Sequence, residues 1–109
     1  MKNLDTEYEL LKILEQNPYI TQRDVSSELG VSLGKTHYVM RALIDKGLIK
    51  LENFQRSNSK QGYAYFLTPA GIKEKSRLTW EFLRIKQNEY DRLKQEIENL
   101  KEEVKQDNN

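Results

Sequence analysis

The sequence predicts a mainly α fold with one small β-hairpin and one long C-terminal helix. Three observations predict it. Residues 21–49 hold two runs with helical apolar spacing, separated by a glycine-containing turn at Gly30-Val31. Residues 48–67 then read as an alternating run (LIKLENF), a polar tract (QRSNSKQG) and an aromatic run (YAYFL), which is strand, loop, strand. From Thr68-Pro69 onward no further proline occurs, and after Gly71 no glycine, through to Gln106. A chain of 109 residues suffices for one domain and an appendage. Hydrophobic residues make up 37% and charged ones 32%, so a good part of the chain must form a long, solvated element.

In order, Leu4 to Gln16 carries Leu10, Leu11 and Leu14 on one side and Glu7, Glu9, Lys12 and Glu15 on the other. It is an amphipathic helix capped by Asp5 or Thr6, and Asn17-Pro18 ends it, because the residue before proline leaves helical angles. Its role is to cover the apolar backs of the next two helices. Tyr19-Ile20 is a short strand or an extended link whose Ile20 reaches the core. Thr21 caps the second helix, with Asp24 in the capping-box position; Val25 and Leu29 form its apolar stripe, and Gly30 ends it. Ser32 caps the third helix, whose Leu33, Thr36, Val39, Met40, Leu43 and Ile44 fall at helical spacing; Gly47 closes it. Helix, tight turn with glycine, capped second helix is the arrangement that places a helix in the DNA major groove. In the hairpin that follows, Ile49, Leu51 and Phe54 point inward while Lys50 and Glu52 point out. A hairpin directly after a helix-turn-helix is a wing, giving a winged helix-turn-helix of the order helix, short strand, helix, helix, strand, strand over residues 1–68.

The last helix, residues 69–106, starts at a capping Thr68 with proline at the first helical position. It would be about 57 Å long at roughly 1.5 Å per residue, too long for a domain of this size to bury. Ile72, Leu78, Trp80, Phe82, Leu83 and Ile85 are too many large apolar groups for a free surface. Further on, Leu83, Tyr90, Ile97 and Val104 occupy a positions and Lys86, Leu93 and Leu100 d positions of a heptad repeat. β-Branched residues at two a positions with Leu at two d positions favour two parallel strands. In that orientation Glu89 meets Lys94 and Glu96 meets Lys101 of the second copy. A single amphipathic helix folded back on its own domain is the other reading. Residues 107–109 are a disordered tail.

Charge and residue usage exclude several functions. There is no cysteine, hence no disulfide framework and no thiolate chemistry. No apolar run approaches about 18 residues and no charged-then-apolar leader is present, so the chain is neither membrane-spanning nor visibly exported, and a cytoplasmic location is the default. His37 is the one histidine, which with no cysteine leaves no metal site. No nucleophile–base pair or phosphate loop is present, so neither an enzyme nor a cofactor is expected. The net charge of +1 is uneven: residues 1–31 hold three Lys/Arg against six Asp/Glu, and residues 32–62 hold six (Lys35, Arg41, Lys46, Lys50, Arg56, Lys60) against two. The surplus lies on the third helix and hairpin, where a phosphate-contacting surface is needed.

With Thr36, Met40 and Leu43 facing the core, the outward positions of the third helix are Ser32, Gly34, Lys35, His37, Tyr38 and Arg41. Lys35 and Arg41 can donate to guanine O6/N7 or to phosphate, and His37 or Tyr38 to either. Ser32 and the free N–H groups of the first turn suit phosphate. Gly34 costs about 1 kcal/mol relative to Ala inside a helix; it lets the backbone approach DNA closely, or is tolerated in the first turn. Arg56, Asn58 and Lys60 at the wing tip suit phosphates or the minor groove, though an ordinary solvated loop has the same composition.

The runs NPYITQRDVSSELGVSLGKTHYVMRALIDKGLIK and YAYFLTPAGIKEK, with the charged coiled tail, resemble the short MarR-type regulators associated with bacterial exopolysaccharide (EPS) gene clusters. The resemblance covers roughly residues 5–105. It implies a winged-helix fold, binding of double-stranded DNA as a homodimer, and control of surface polysaccharide genes. The larger MarR proteins build their dimer from both chain ends and often hold a small aromatic effector. Here only four residues precede the first helix, so dimerisation is expected to rest on the C-terminal helix, and a small-molecule effector is unknown. The operator is expected to be an inverted repeat, matching a two-fold dimer. Other readings of the same motif are a winged-helix protein-interaction scaffold and a plasmid replication or partition protein.

Overall fold

A computed structural model describes the backbone of residues 2–57 and 60–108 and the side chains of residues 5–53 and 62–108. The elements are α1 (Lys2–Gln16), α2 (Gln22–Leu29), α3 (Leu33–Asp45), β1 (Ile49–Ser57), β2 (Lys60–Leu67) and α4 (Pro69–Asp107). Contacts divide the chain into two units, Met1–Leu78 and Thr79–Asn109.

The first unit is three helices and a hairpin around one apolar core. α1 buries Leu10, Leu11 and Leu14, as its amphipathic pattern predicts, and packs on α2, α3 and β2, whose Val25, Met40, Leu43 and Ala64 are buried as well. It begins at Lys2, earlier than the expected cap at Asp5 or Thr6; Asp5 lies in its first turn, where a carboxylate suits the positive end of the helix dipole. Two ion pairs tie α1 to its neighbours: Glu7 with Lys46 at 2.7 Å and Glu15 with Lys75 at 2.5 Å.

Tyr19-Ile20 is an extended link and not a strand. After Pro18 the chain uses its N–H groups locally: Tyr19 donates to Asn17 Oδ1 (3.1 Å) and Ile20 to the Asn17 carbonyl (3.3 Å). The link meets the sheet through the Pro18 carbonyl, which accepts from Tyr65 N at 2.9 Å. Ile20 is buried, as anticipated, and Tyr19 meets the Phe66 ring edge-on at 5.9 Å.

β1 and β2 pair antiparallel, with Ile49 opposite Leu67, Leu51 opposite Tyr65 and Asn53 opposite Tyr63, and a register shift between Gln55 and Ser57. Ile49 is buried, with Lys50 and Glu52 outward. Leu51 departs from the expected pattern: 42% of it is exposed, because Tyr65 across the ladder fills the contact with the helices and leaves Leu51 at the edge of a cleft. The Phe54 side chain lies outside the described residues.

The junction between wing and last helix is closely packed. Gly47 takes a left-handed φ of 74°, which only glycine adopts freely. It turns the chain so that Leu48 N bonds the Leu43 carbonyl (2.9 Å). Thr68 then joins three segments: its N–H donates to Leu48 O (3.0 Å), its hydroxyl donates to Gly47 O (2.6 Å), and its Oγ1 accepts from Gly71 N (3.0 Å), capping α4. Gly71 is buried, and a Cβ there would fall 2.0 Å from the Leu48 carbonyl oxygen. Leu78 completes this core. Glu74, in the same stretch, is held below the ordinary carboxylate pKa. The hydrogen bond from Arg77 is the main cause; partial burial opposes it, and the charges of Arg77 and Lys46 add to it.

The second unit is the remainder of α4, which continues to Asp107, one residue beyond the expected end. Leu83, Lys86, Tyr90, Leu93, Ile97, Leu100 and Val104 are all exposed in the single chain, as is Trp80, at 73%. Phe82 and Ile85 are half-buried. An apolar groove of about 400 Å³ is lined by Ile97, Leu100 and Val104 with the stems of Lys101 and Lys105.

Candidate nucleic-acid interface

The interface is built on two capped helices. Thr21, in extended geometry, accepts from Asp24 N at 3.1 Å and starts α2. Gly30, at a left-handed φ of 68°, ends α2 with its N–H on the Ser26 carbonyl (2.9 Å), and Val31 N reaches the same oxygen at 3.2 Å. Two residues later Ser32 accepts from Lys35 N at 3.0 Å and starts α3. The inner face of α3 is locked by Thr36, Val39, Met40 and Leu43, all buried. The Thr36 hydroxyl is satisfied by the Ser32 carbonyl at 3.0 Å, so a polar core residue costs nothing in an unpaired donor.

That locking fixes what faces out. Ser32, Gly34, Lys35, His37, Tyr38 and Arg41 are all exposed on one element, as the spacing predicts, and Tyr38 is 73% exposed. The N–H groups of Leu33 and Gly34 point out of the first turn with no acceptor among the described residues, and the Ser32 hydroxyl, whose oxygen holds Lys35 N, still has its proton to donate. The first turn is therefore a cluster of donors, suited to a phosphate oxygen. Around Gly34 the surface is open, the nearest atom to a Cβ being Ser32 Oγ at 4.0 Å. Arg41 Nε lies 4.0 Å from Asp45, with both side chains about 70% exposed. Such a pair is worth little and leaves the guanidinium available.

Beside this face a cleft of about 70 Å³ is lined by Gln22, His37, Met40, Arg41, Ile44, Leu51 and Tyr65. Gln22 Nε2 donates to the Tyr65 hydroxyl at 3.0 Å, so α2, α3 and the base of the hairpin meet there. Lys50 on β1 pairs with Glu52 at 3.2 Å. The backbones of Arg56 and Lys60 belong to β1 and β2, but their side chains, and all of Asn58, lie outside the described residues.

Two features escaped the sequence reading. Leu33, placed by spacing with the core residues, is 42% exposed: it lies in the first turn, where the helix has passed the end of the core that buries Met40 two turns later. The signal was its position directly after the Ser32 cap. Arg23, exposed on α2, adds a cation on the helix that in this motif crosses the DNA backbone.

Among the described residues no group of three or more His, Cys, Asp or Glu is placed to hold a metal ion, and no helix is long and apolar enough to cross a membrane.

Residues 4–50 match the family model described as winged helix-turn-helix DNA-binding. No curated protein matches the chain in sequence. Among solved structures it is similar to the PcaV transcriptional regulator of Streptomyces coelicolor in complex with its natural ligand, at 24% identity and a TM-score of 0.62, covering 74% of this chain and 56% of that one. It is similar to Staphylococcus aureus MarR in complex with salicylate and kanamycin, at 17% identity and a TM-score of 0.60, covering 79% and 56%. A mutant of S. aureus MepR bound to an oligodeoxyribonucleotide is similar at 23% identity and a TM-score of 0.59, covering 79% and 62%. The chain thus spans between a half and two thirds of the length of these proteins. Residues 4–50 thus resemble a winged helix-turn-helix DNA-binding domain, and the chain shares the winged helix-turn-helix fold with these solved structures.

Proposed function

We propose that the protein is a cytoplasmic, sequence-specific, double-stranded-DNA-binding transcriptional regulator that acts as a homodimer on an inverted-repeat operator. The observation that carries this is the outward face of α3, where Ser32, Gly34, Lys35, His37, Tyr38 and Arg41 are gathered on a helix whose opposite side is locked in the core. Lys35 and Arg41 read base edges or phosphate, His37 and Tyr38 donate beside them, and Ser32 and the first-turn N–H groups hold phosphate. Gly34 gives the backbone room to approach. Arg56, Asn58 and Lys60 contact the backbone or minor groove from the wing. The DNA-bound MepR neighbour supports the same use of the fold here.

The dimer rests on α4 from Leu83 to Val104, whose heptad positions form an uncovered stripe of six apolar residues interrupted by Lys86. Charge placement supports a second, parallel copy as the cover. Among the described residues Lys94 and Glu96 make no ion pair, whereas Glu89 and Lys101, their partners in a parallel pair, are each reached by a neighbour one turn away on the same helix. On this reading residues 1–68 bind DNA and residues 69–106 dimerise. The resemblance of the helix-turn-helix and LTPAGI runs to EPS-associated regulators makes surface polysaccharide genes the target.

The test is binding to selected and random duplexes over a range of salt. Arg41→Ala and Lys35→Ala should weaken specific binding more than Lys60→Ala, whose effect should be uniform across sequences. Equal losses on cognate and random duplexes for all three would refute the assignment of readers. Absence of duplex binding at low salt would favour a protein-interaction scaffold instead.

A further inference from the structure

An exposed leucine at the start of a recognition helix needs an account. Leu33 directly follows the Ser32 cap and is 42% exposed. At spacings of four and eight residues it leads into His37 and Arg41, so the three form one ridge along the outward side of α3, all exposed. At its N-terminal end the ridge is flanked by the first-turn N–H groups, which have no acceptor among the described residues, and by the open surface at Gly34; at the other end it adjoins the cleft shared with Leu51 and Tyr65. Polar donors suited to base edges and phosphates thus surround one apolar group, on the turn that in this motif enters the groove first.

The major-groove edge of DNA offers one apolar feature, the C5-methyl group of thymine, and apolar side chains read it by contact. We infer that Leu33 is a specificity-determining residue that packs on a thymine methyl in each half-site, with Arg41 reading a guanine on the same ridge. This rests on the DNA-binding reading above and deepens it. Eight residues of helix separate the two groups by about 12 Å along the axis. That is the rise of three to four base pairs at roughly 3.4 Å each. The thymine therefore lies within about four base pairs of the guanine whose recognition Arg41→Ala relaxes. Neither Lys35 nor Tyr38 can substitute for Leu33 here, since each brings a polar end that the methyl cannot satisfy.

The experiment uses the full chain. Bound duplexes are selected from a random pool, and each thymine of the selected site is then replaced by deoxyuridine, which removes the methyl and leaves every hydrogen-bonding group in place. Wild-type protein should lose about fourfold in affinity at one position per half-site, the factor corresponding to one buried methyl. Leu33→Ala should bind the thymine and deoxyuridine duplexes equally at that position, and Leu33→Met should restore the difference. Both variants keep a good helix former at an exposed site, so folding is retained, and thermal unfolding verifies it. If wild type is indifferent to every replacement, or Leu33→Ala loses as much as wild type at the sensitive thymine, the role given to Leu33 is wrong while DNA binding stands. If no duplex is selected at all, the DNA-binding reading fails and this role fails with it.

Discussion

Replacing Gly71 by alanine tests how the last helix is seated on the domain. A Cβ at this position would sit 2.0 Å from the Leu48 carbonyl oxygen and 3.0 Å from its carbon, against roughly 3.3–3.6 Å for a close carbon–oxygen contact. The obstacle is backbone, so no side chain can rotate away. The start of α4 has to move by more than an ångström relative to Leu48. That movement breaks the Thr68 N–H bond to Leu48 O, now 3.0 Å, and disturbs the Thr68 hydroxyl bond to Gly47 O. Overpacking costs about 1–3 kcal/mol and a lost hydrogen bond about 0.5–1.5 kcal/mol. The better helix propensity of alanine returns at most about 1 kcal/mol. The net loss is about 2 kcal/mol, which for a unit of this size lowers Tm by roughly 8–16 °C. The control is Gly34→Ala, where the nearest atom is 4.0 Å away and the propensity gain is unopposed, so Tm should hold or rise. Circular dichroism melts at one protein concentration measure both. A Gly71→Ala protein that melts with wild type would refute the close approach of Leu48 and Gly71. Gly34→Ala should instead weaken DNA binding if the backbone approaches phosphate there.

Three further outcomes are expected. Glu74 has a depressed folded-state pKa, so its contribution is present above the ordinary carboxylate range and is lost as pH falls through the folded value. Glu74→Gln should therefore cost under about 1 kcal/mol at neutral pH, and its melting curve should converge on that of wild type in acid; a gap that widens in acid would contradict the sign. Ile97→Asp should give a monomer by analytical ultracentrifugation at micromolar concentration, while an unchanged dimer would remove the α4 seam. Lys86→Leu should tighten the dimer about tenfold or more, from the roughly 1.5 kcal/mol of burying a leucine, and equal or weaker dimerisation would show that Lys86 is not in the seam.

The parts of the fold legible in the sequence are those where one local rule acts alone. Ser32 before a periodic run, Gly30 and Gly47 after one, and Thr68-Pro69 at a helix start each specify backbone geometry from nearest neighbours, and each is found as expected. Periodicity also separated the buried Thr36, Met40 and Leu43 from the six outward residues of α3. It failed where burial depends on what lies across from a residue. Leu51 and Leu33 have apolar side chains at core-like spacing, but one stands beside a larger Tyr65 and the other lies beyond the core's end. The Tyr19-Ile20 link shows the same limit, since a strand needs an uncommitted partner and Asn17 takes up the N–H groups first. The run of α4 through Gly71 was legible, whereas the reason for a glycine there, a carbonyl from a segment more than twenty residues earlier, was not.

The modest charge of the proposed DNA-binding face makes the two halves of the proposal depend on each other. In residues 32–62, Asp45 and Glu52 offset two of the six cations, and Arg41 and Lys50 are the groups that stand beside them. If one copy neutralises about three phosphates, the slope of log K against log salt is about −3, and affinity falls only about fortyfold between 50 and 200 mM salt. Two copies held together double the slope to about −5 and square the factor, which brings the protein into the range of strongly salt-dependent binders. A single wing and recognition helix would also read too few base pairs to single out an operator among the competing sites of a genome. Pairing through α4 doubles both quantities without adding a residue to the face. Ile97→Asp should therefore halve the salt slope on specific DNA as well as weaken binding. A monomer that keeps the full slope would mean that one copy contacts the phosphates assigned here to two, and that α4 serves some purpose other than DNA recognition.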